Sequence, residues 1–281
     1  MRRKVSLLVA LLVLVVMAVQ PVLAITGGSP DGNGHPNVGA ILMLNPESEP
    51  FAVCTGVLIS EEVLLTSGIC TELLEYMVEF WDQAVRDIHV SFDPDDAFGD
   101  YESAVPVSTI ITHPDFRMYR PWVIGIPDVG VLILEQAVTG VEPEPLPSAG
   151  YLDALREEGK LRENGRPAKF TVVGYGTTLE WPPPVVVRQD GVRRVAESEF
   201  LNLRKMWLEM SQNPAPGNEN GGTAWGDSGG PTYWVEEDGT EVLVAICSWE
   251  DMMMVAQGTA WRIDTPTSLA FLTGVLSQYG Q

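Results

Sequence analysis

An all-β fold closed by a C-terminal helix is what this sequence predicts, and three observations predict it. Short apolar runs rich in β-branched residues recur between prolines and glycines, the pattern of a barrel or sandwich. The 281 residues, 45% of them hydrophobic, suffice for one large all-β domain or two smaller ones. The final stretch, 266–279, changes period and places Leu269, Leu272, Val275 and Leu276 on one helical face.

The chain begins with a segment unlike the rest. Arg2, Arg3 and Lys4 precede an apolar run from Val5 to Val19, and Val22-Leu23-Ala24 closes it with a small residue. This layout predicts a secretory signal peptide over 1–24, with an uncleaved membrane anchor as the alternative. Its removal takes the net charge from −21 to −24. So acidic a chain is repelled by nucleic acid and by anionic membrane surfaces, which excludes both as partners after cleavage. The expected location is extracellular, or the periplasm of a Gram-negative cell.

Strands are expected at Val38–Leu44, Thr55–Ile59, Val63–Thr66, His89–Phe92, Val105–Thr112 and Val129–Leu134. A charged helical stretch over Tyr151–Arg162 reads as a surface excursion. Further strands follow at Phe170–Val173, Val185–Val187, Tyr233–Glu236 and Val242–Ser248. Secretion permits disulfides, so Cys54 and Cys70 can pair, a closure worth ~3 kcal/mol on the chain-entropy account. Cys247, left over at the end of an apolar run, reads as a packed free thiol.

The strongest local signal is Gly226-Asp227-Ser228-Gly229-Gly230-Pro231. A serine flanked by glycines can be presented on a tight turn, with backbone N–H groups facing a developing oxyanion. Five further segments accompany it in order: Ile25-Thr26-Gly27-Gly28; Cys54 to Cys70; His113-Pro114 with Asp128 to Leu134; Val173-Gly174-Tyr175-Gly176; and Ser248-Trp249 with Gly258 to Ile263. In this arrangement the chain resembles the chymotrypsin/trypsin family of serine proteases from Ile25 to the C-terminal helix. The resemblance implies two packed six-stranded antiparallel β-barrels, at about 25–140 and 141–264, followed by a helix at 265–280. The site would lie between the barrels.

By that resemblance Ser228 is the nucleophile, Asp128 the orienting carboxylate, and the N–H groups of Gly226 and Ser228 the oxyanion hole. The base should immediately precede the second cysteine. The stretch there reads Thr66-Ser67-Gly68-Ile69-Cys70, so Ile69 stands at the histidine position. An isoleucine cannot take a proton. Losing the triad histidine costs on the order of 10⁶ in turnover, leaving roughly 10³–10⁴ over water from binding and the oxyanion hole. His35, His89 and His113 fall in an N-terminal loop, on a strand and in the loop before Asp128, all poor positions for a substitute base. Asp128, without an imidazole, is expected to be neutral or strongly hydrogen-bonded through Ser248 and nearby N–H groups.

The resemblance assigns substrate binding to Gly222, Ser248, Trp249, Glu250 and Gly258. Gly222 falls at the pocket base and Ala224 replaces one cysteine of the family's second pocket pair. Glu250 follows where a glycine usually leaves the entrance open, and either narrows it, meets a basic group or is a solvated rim residue. Signal cleavage after Ala24 would give Ile25 a free ammonium to pair with Asp227. Asp93, Asp95, Asp96, Asp100 and Glu102 cluster where some members carry a calcium loop. A solvated acidic loop is preferred there, with structural Ca²⁺ as the alternative and no other cofactor expected.

The function these residues point to is a secreted, monomeric, catalytically impaired protease homologue that binds a peptide or protein through its cleft. The alternatives are a serine endopeptidase with weak or rescued activity, and a barrel kept for its surface alone.

Overall fold

The computed structural model describes residues 25–280 except 26, 46, 82–83, 85–86, 100, 119–124, 164, 181–185 and 214–219. The expected signal segment, 1–24, and Asp100 lie outside the described residues.

The first six long strands are β1 (Val38–Leu44), β2 (Pro50–Leu58), β3 (Val63–Thr66), β4 (His89–Ser91), β5 (Val105–Thr112) and β6 (Gly130–Leu134). They close into an antiparallel barrel in the order β1-β2-β3-β6-β5-β4. β1, β3 and β6 are buried along nearly their whole length, which is why they read as near-continuous hydrophobic runs. One alternating set, Val38, Ala40, Leu42, Val57, Val131 and Ile133, joins a core shared with Tyr175, Leu243, Ile246 and Trp261 of the second half. The other set, Ile41, Met43, Leu58, Leu64 and Leu132, packs with Cys70 and Leu74.

Those last two residues belong to α1 (Gly68–Phe80), a helix the sequence reading does not anticipate. Ser67 caps it by accepting the Cys70 N–H at 3.3 Å. Cys70, Thr71 and Leu74 face inward, whereas Leu73, Tyr76 and Phe80 are exposed. The expected disulfide is formed: Cys54 on β2 is bonded to Cys70 in the first turn of α1.

After α2 (Tyr151–Glu157), a second barrel is built from β7 (Lys169–Gly174), β8 (Arg194–Leu203), β9 (Trp207–Ser211), β10 (Pro231–Val235), β11 (Glu241–Glu250) and β12 (Gln257–Arg262). The order is β8-β7-β10-β11-β12-β9, with β9 returning to β8. Phe170, Phe200, Leu208, Met210 and Val244 form its core together with Leu152, Leu155 and Ile25. The helix α2 is shorter than the expected 151–162, because the chain turns left-handed at Gly159 (φ 77°) and cannot continue. The C-terminal helix α3 (Pro266–Tyr279) begins on a Thr265 cap with Pro266 at its first position, as its sequence predicts.

Arg193 ties the N-terminal strap, residues 27–37 ahead of β1, to both halves. Its buried guanidinium donates to Asp31 Oδ2 (2.8 Å), to the carbonyls of Gly32, Val38 and Phe92, and to the Tyr175 hydroxyl.

Candidate active-site cleft

Ser228 sits on a turn that only glycines permit. A Cβ on Gly229 (φ 83°) would fall 2.0 Å from Thr66 Oγ1 and 2.5 Å from the Thr55 carbonyl oxygen. This close approach draws the serine turn against the end of β3 and the start of α1. The Thr55 N–H donates to the Ser228 carbonyl at 3.0 Å, and Cys70 Sγ lies 3.3 Å from the same oxygen. Gly226 (φ 100°) approaches Gly176, and its carbonyl accepts the Thr55 hydroxyl at 2.9 Å. The backbone N–H groups of Gly226 and Ser228 donate to no acceptor among the described residues. They stay available to an oxygen atom brought to the turn.

Asp128 is wholly buried beside the first turn of α1. Its Oδ1 accepts the Ile69 N–H at 2.8 Å, and its Oδ2 accepts the Ser248 hydroxyl. The Gly68 N–H also bonds it. Burial drives its pKa up to about 7, and these three donors pull it back only in part. A Cβ on Gly68 would strike Phe116 at 2.6 Å, so glycine there lets the α1 N-terminus settle onto the carboxylate. The expectation of a strongly hydrogen-bonded Asp128 matches this geometry.

The histidines are all engaged elsewhere. His35 bridges Asp31 (2.5 Å) and Glu241 (3.0 Å), which raises its pKa to about 9 against the cost of burial. His89 lies against the Tyr101 ring, and His113 against Phe271 while accepting the Asp115 N–H. None of them bonds Asp128 or Ser228.

Asp227 is buried between the glycines of the Gly174-Tyr175-Gly176 segment. It accepts the N–H groups of Gly176 (2.7 Å) and Ala224 (2.8 Å). A Cβ on Gly174 would lie 2.1 Å from its Oδ1, so glycine there makes the room this carboxylate needs. Burial raises its pKa to about 7, with Arg194 opposing. Ile25 is buried in the second-barrel core, and Gly27 packs against the Asn220 carbonyl, so the strap lies along the loop before Gly222.

The pocket bounded by Gly222 and Gly258 is filled from within. A Cβ on Gly222 would come within 2.1 Å of Gln212 Cγ, and one on Gly258 within 2.2 Å of Gln212 Nε2. Gln212 is fully buried and donates to Thr223 Oγ1 at 2.7 Å, while its own Oε1 has no partner among the described residues. Gln212 is not legible in the sequence, since a glutamine just past a strand carries no local signal of pointing between two distant glycines.

Glu250 is not a solvated rim residue. It is buried at 8% exposure, Cys247 Sγ donates to its Oε2 at 3.9 Å, and no cation pairs with it among the described residues. Burial first, then the charges of Asp227 and Asp251, raises its pKa to about 8. Cys247 is the buried free thiol expected, and burial holds it protonated. Ala224 packs against Met254, whose sulfur accepts the Trp225 N–H at 3.3 Å. Asp251 organises the 251–257 turn by accepting the N–H groups of Met253, Val255, Ala256 and Gln257. Trp225 and Trp249 stay about half exposed at the cleft.

Among the described residues, the acidic cluster does not gather around a common point. Asp93 Oδ1 accepts the N–H groups of Asp95 and Asp96, and Asp96 accepts that of Gly99, so these carboxylates cap turns. Among the described residues no three acidic, cysteine or histidine side chains gather as a metal site, Glu102 included. No described helix is long and apolar enough to cross a membrane.

Two closed barrels with a serine on a glycine turn and a buried carboxylate across their junction define the double-barrel serine protease class. The family model for trypsin matches residues 25–268, and the chain belongs to the trypsin family.

Proposed function

We propose that this chain is a secreted trypsin-family protein that binds a peptide or protein through its cleft and is impaired in hydrolysis, because Ile69 stands at the position of the general base. The observation that carries this reading is the Asp128 carboxylate, whose oxygens are taken by the Ser248 hydroxyl and the Ile69 N–H, with no imidazole on it among the described residues. Ser228 then lacks a proton acceptor, since the remaining triad member is a carboxylate that orients a base rather than replacing one. The Gly226 and Ser228 N–H groups still offer a carbonyl-binding nest. Residues 1–24 act as the cleaved signal segment, and the Ile25 ammonium released by that cleavage pairs with Asp227. The burial of both Ile25 and Asp227 favours this pairing, as does the lack of a direct cationic partner on Asp227 among the described residues.

The test is labelling by a fluorophosphonate probe, compared between the native chain and Ile69→His. Negligible labelling of the native chain with rapid labelling of Ile69→His is expected. Rapid labelling of the native chain overturns the reading. An intact mass that begins elsewhere than Ile25 overturns the pairing.

A further inference from the structure

Beside the serine turn, and separate from the filled pocket, the cleft opens into an apolar groove of about 460 Å³. Phe51, Leu73, Tyr76, Phe80, Trp81 and Trp225 wall it, and Gly226 of the serine turn also lines it. Four of these walls are unusually open for large apolar side chains: Leu73 at 40%, Trp225 at 50%, Tyr76 at 60% and Phe80 at 68% exposure. Contiguous exposure of this kind is avoided on a surface with nothing to bind. The groove is also ordered from below. Tyr76 and Phe80 stack one helical turn apart with centroids at 5.7 Å, and Phe51 meets Trp81 edge to face at 6.0 Å.

Charge says what fits. The exposed positions of α1 between those apolar residues are Glu72, Glu75 and Glu79, and the helix carries no lysine or arginine. Glu75 titrates above its ordinary value through partial burial and repulsion from Glu72, so this negative charge is uncompensated on the helix itself. An acidic rim around an apolar groove complements a cationic, hydrophobic segment and repels an acidic one.

We propose that this groove docks an extended segment of a protein partner that carries a bulky apolar residue flanked by lysine or arginine. The apolar residue enters between Phe80 and Trp225, and the flanking cations meet the glutamates of α1. The proposal deepens the cleft-binding reading and rests on it, because Gly226 of the serine turn lines the groove. It gives that cleft an anchor in place of the pocket that Gln212 fills.

The test uses fluorescein-labelled peptides with the full chain after signal removal: Lys-Leu-Phe-Leu-Lys, Glu-Leu-Phe-Leu-Glu and Lys-Ser-Gly-Ser-Lys, read by anisotropy. The first should bind at least about tenfold tighter than the other two, a difference of about 1.4 kcal/mol. Its affinity should fall about tenfold in Tyr76→Ser/Phe80→Ser, whose side chains are exposed and whose loss leaves the fold intact, and should weaken in high salt. Equal binding of the acidic peptide, an unchanged affinity in the double variant, or no binding of the first peptide overturns the proposal. So does sedimentation showing that the native chain self-associates while the double variant does not, because the occupant is then a second copy. Fluorophosphonate labelling of the same proteins reports on the base independently, so failure of the groove and failure of the impaired-site reading give different results.

Discussion

Ser248 donates its hydroxyl hydrogen to Asp128 Oδ2 while the Ile69 N–H occupies Oδ1 at 2.8 Å, so the carboxylate is fully engaged by neutral donors. A triad carboxylate ordinarily faces an imidazole that can become cationic. Here it receives three dipoles and no charge, which leaves its pKa at about 7. On the reading proposed above, replacing Ile69 with histidine puts a cation-forming partner beside a carboxylate that the Ile69 N–H and the Ser248 hydroxyl already hold in place.

Ile69→His should therefore raise hydrolysis of a small activated ester by about 10³-fold or more over the native chain. The new imidazole should titrate above the ordinary histidine range, since Asp128 stabilises its charged form. Steady-state kinetics and proton NMR of the histidine measure the two effects. A raised imidazole pKa without a gain in rate would contradict the proposal that the identity of residue 69 limits hydrolysis.

Stability should be greatest at mildly acidic pH. Asp128 titrates at about 7 and Glu250 at about 8, both raised by burial from values near 4. Raised folded-state pKa values mean that the folded chain holds protons the unfolded chain has lost. The stability this brings is full below about pH 4 and disappears as pH rises through 7 to 8. His35, raised to about 9, adds a loss in the same direction between its ordinary 6.5 and 9. Asp31, Asp190 and Asp251 are lowered, so their contribution is lost only as pH falls below the ordinary carboxylate range. Thermal unfolding should give a higher Tm near pH 5 than near pH 8.5. Glu250→Gln should recover about 1–3 kcal/mol at the higher pH and little at the lower. A Tm that rises from pH 5 to 8.5 contradicts this.

Gln212 should control what the pocket between Gly222 and Gly258 accepts. In the Ile69→His background, substrates with alanine ahead of the scissile bond should be cleaved, and those with phenylalanine or lysine should not. Adding Gln212→Gly removes the side chain that lies 2.1 Å from a Gly222 Cβ, together with its unpartnered Oε1. Larger side chains should then rise at least about tenfold in kcat/KM, the scale on which an apolar pocket tells one side-chain size from another. Equal discrimination with and without Gln212 would mean that the side chain simply swings aside.

Much of this cleft is legible in the sequence because its parts are local. Gly226 to Pro231 announces a serine on a glycine turn, and the turn is drawn in by an approach that only Gly229 allows. Apolar runs bounded by turn residues, such as β1 and β3, announce a barrel or sandwich, and the family resemblance makes that two barrels. The helix α1 is not expected, because its apolar residues face both the barrel and the groove, which blurs a single amphipathic stripe. β8 is hidden for the opposite reason. Its inward positions include Arg194, whose terminal nitrogens reach Asp190, and Ser198, which donates to the Gly221 carbonyl. The pocket's closure depends on Gln212, Gly222 and Gly258 meeting from separate strands and loops, a relationship no local pattern encodes.

Arg193 supplies the last prediction, because one buried side chain holds three segments at once. Its Nε meets Asp31 at 2.8 Å, and its terminal nitrogens reach the carbonyls of Gly32, Val38 and Phe92 and the Tyr175 hydroxyl. Truncation to alanine leaves Asp31 with only His35 as a counter-charge and strips donors from buried carbonyls, so Arg193→Ala should cost about 3–5 kcal/mol. Arg193→Lys should recover only a part, since an ammonium cannot span the directions that the guanidinium fork covers. Urea denaturation near pH 6 measures both. Because His35 remains on the other Asp31 oxygen at 2.5 Å, the damage from Arg193→Ala should grow as pH rises past 9 and His35 loses its charge. An Arg193→Ala variant as stable as the native chain would show that the strap is held by its backbone contacts alone.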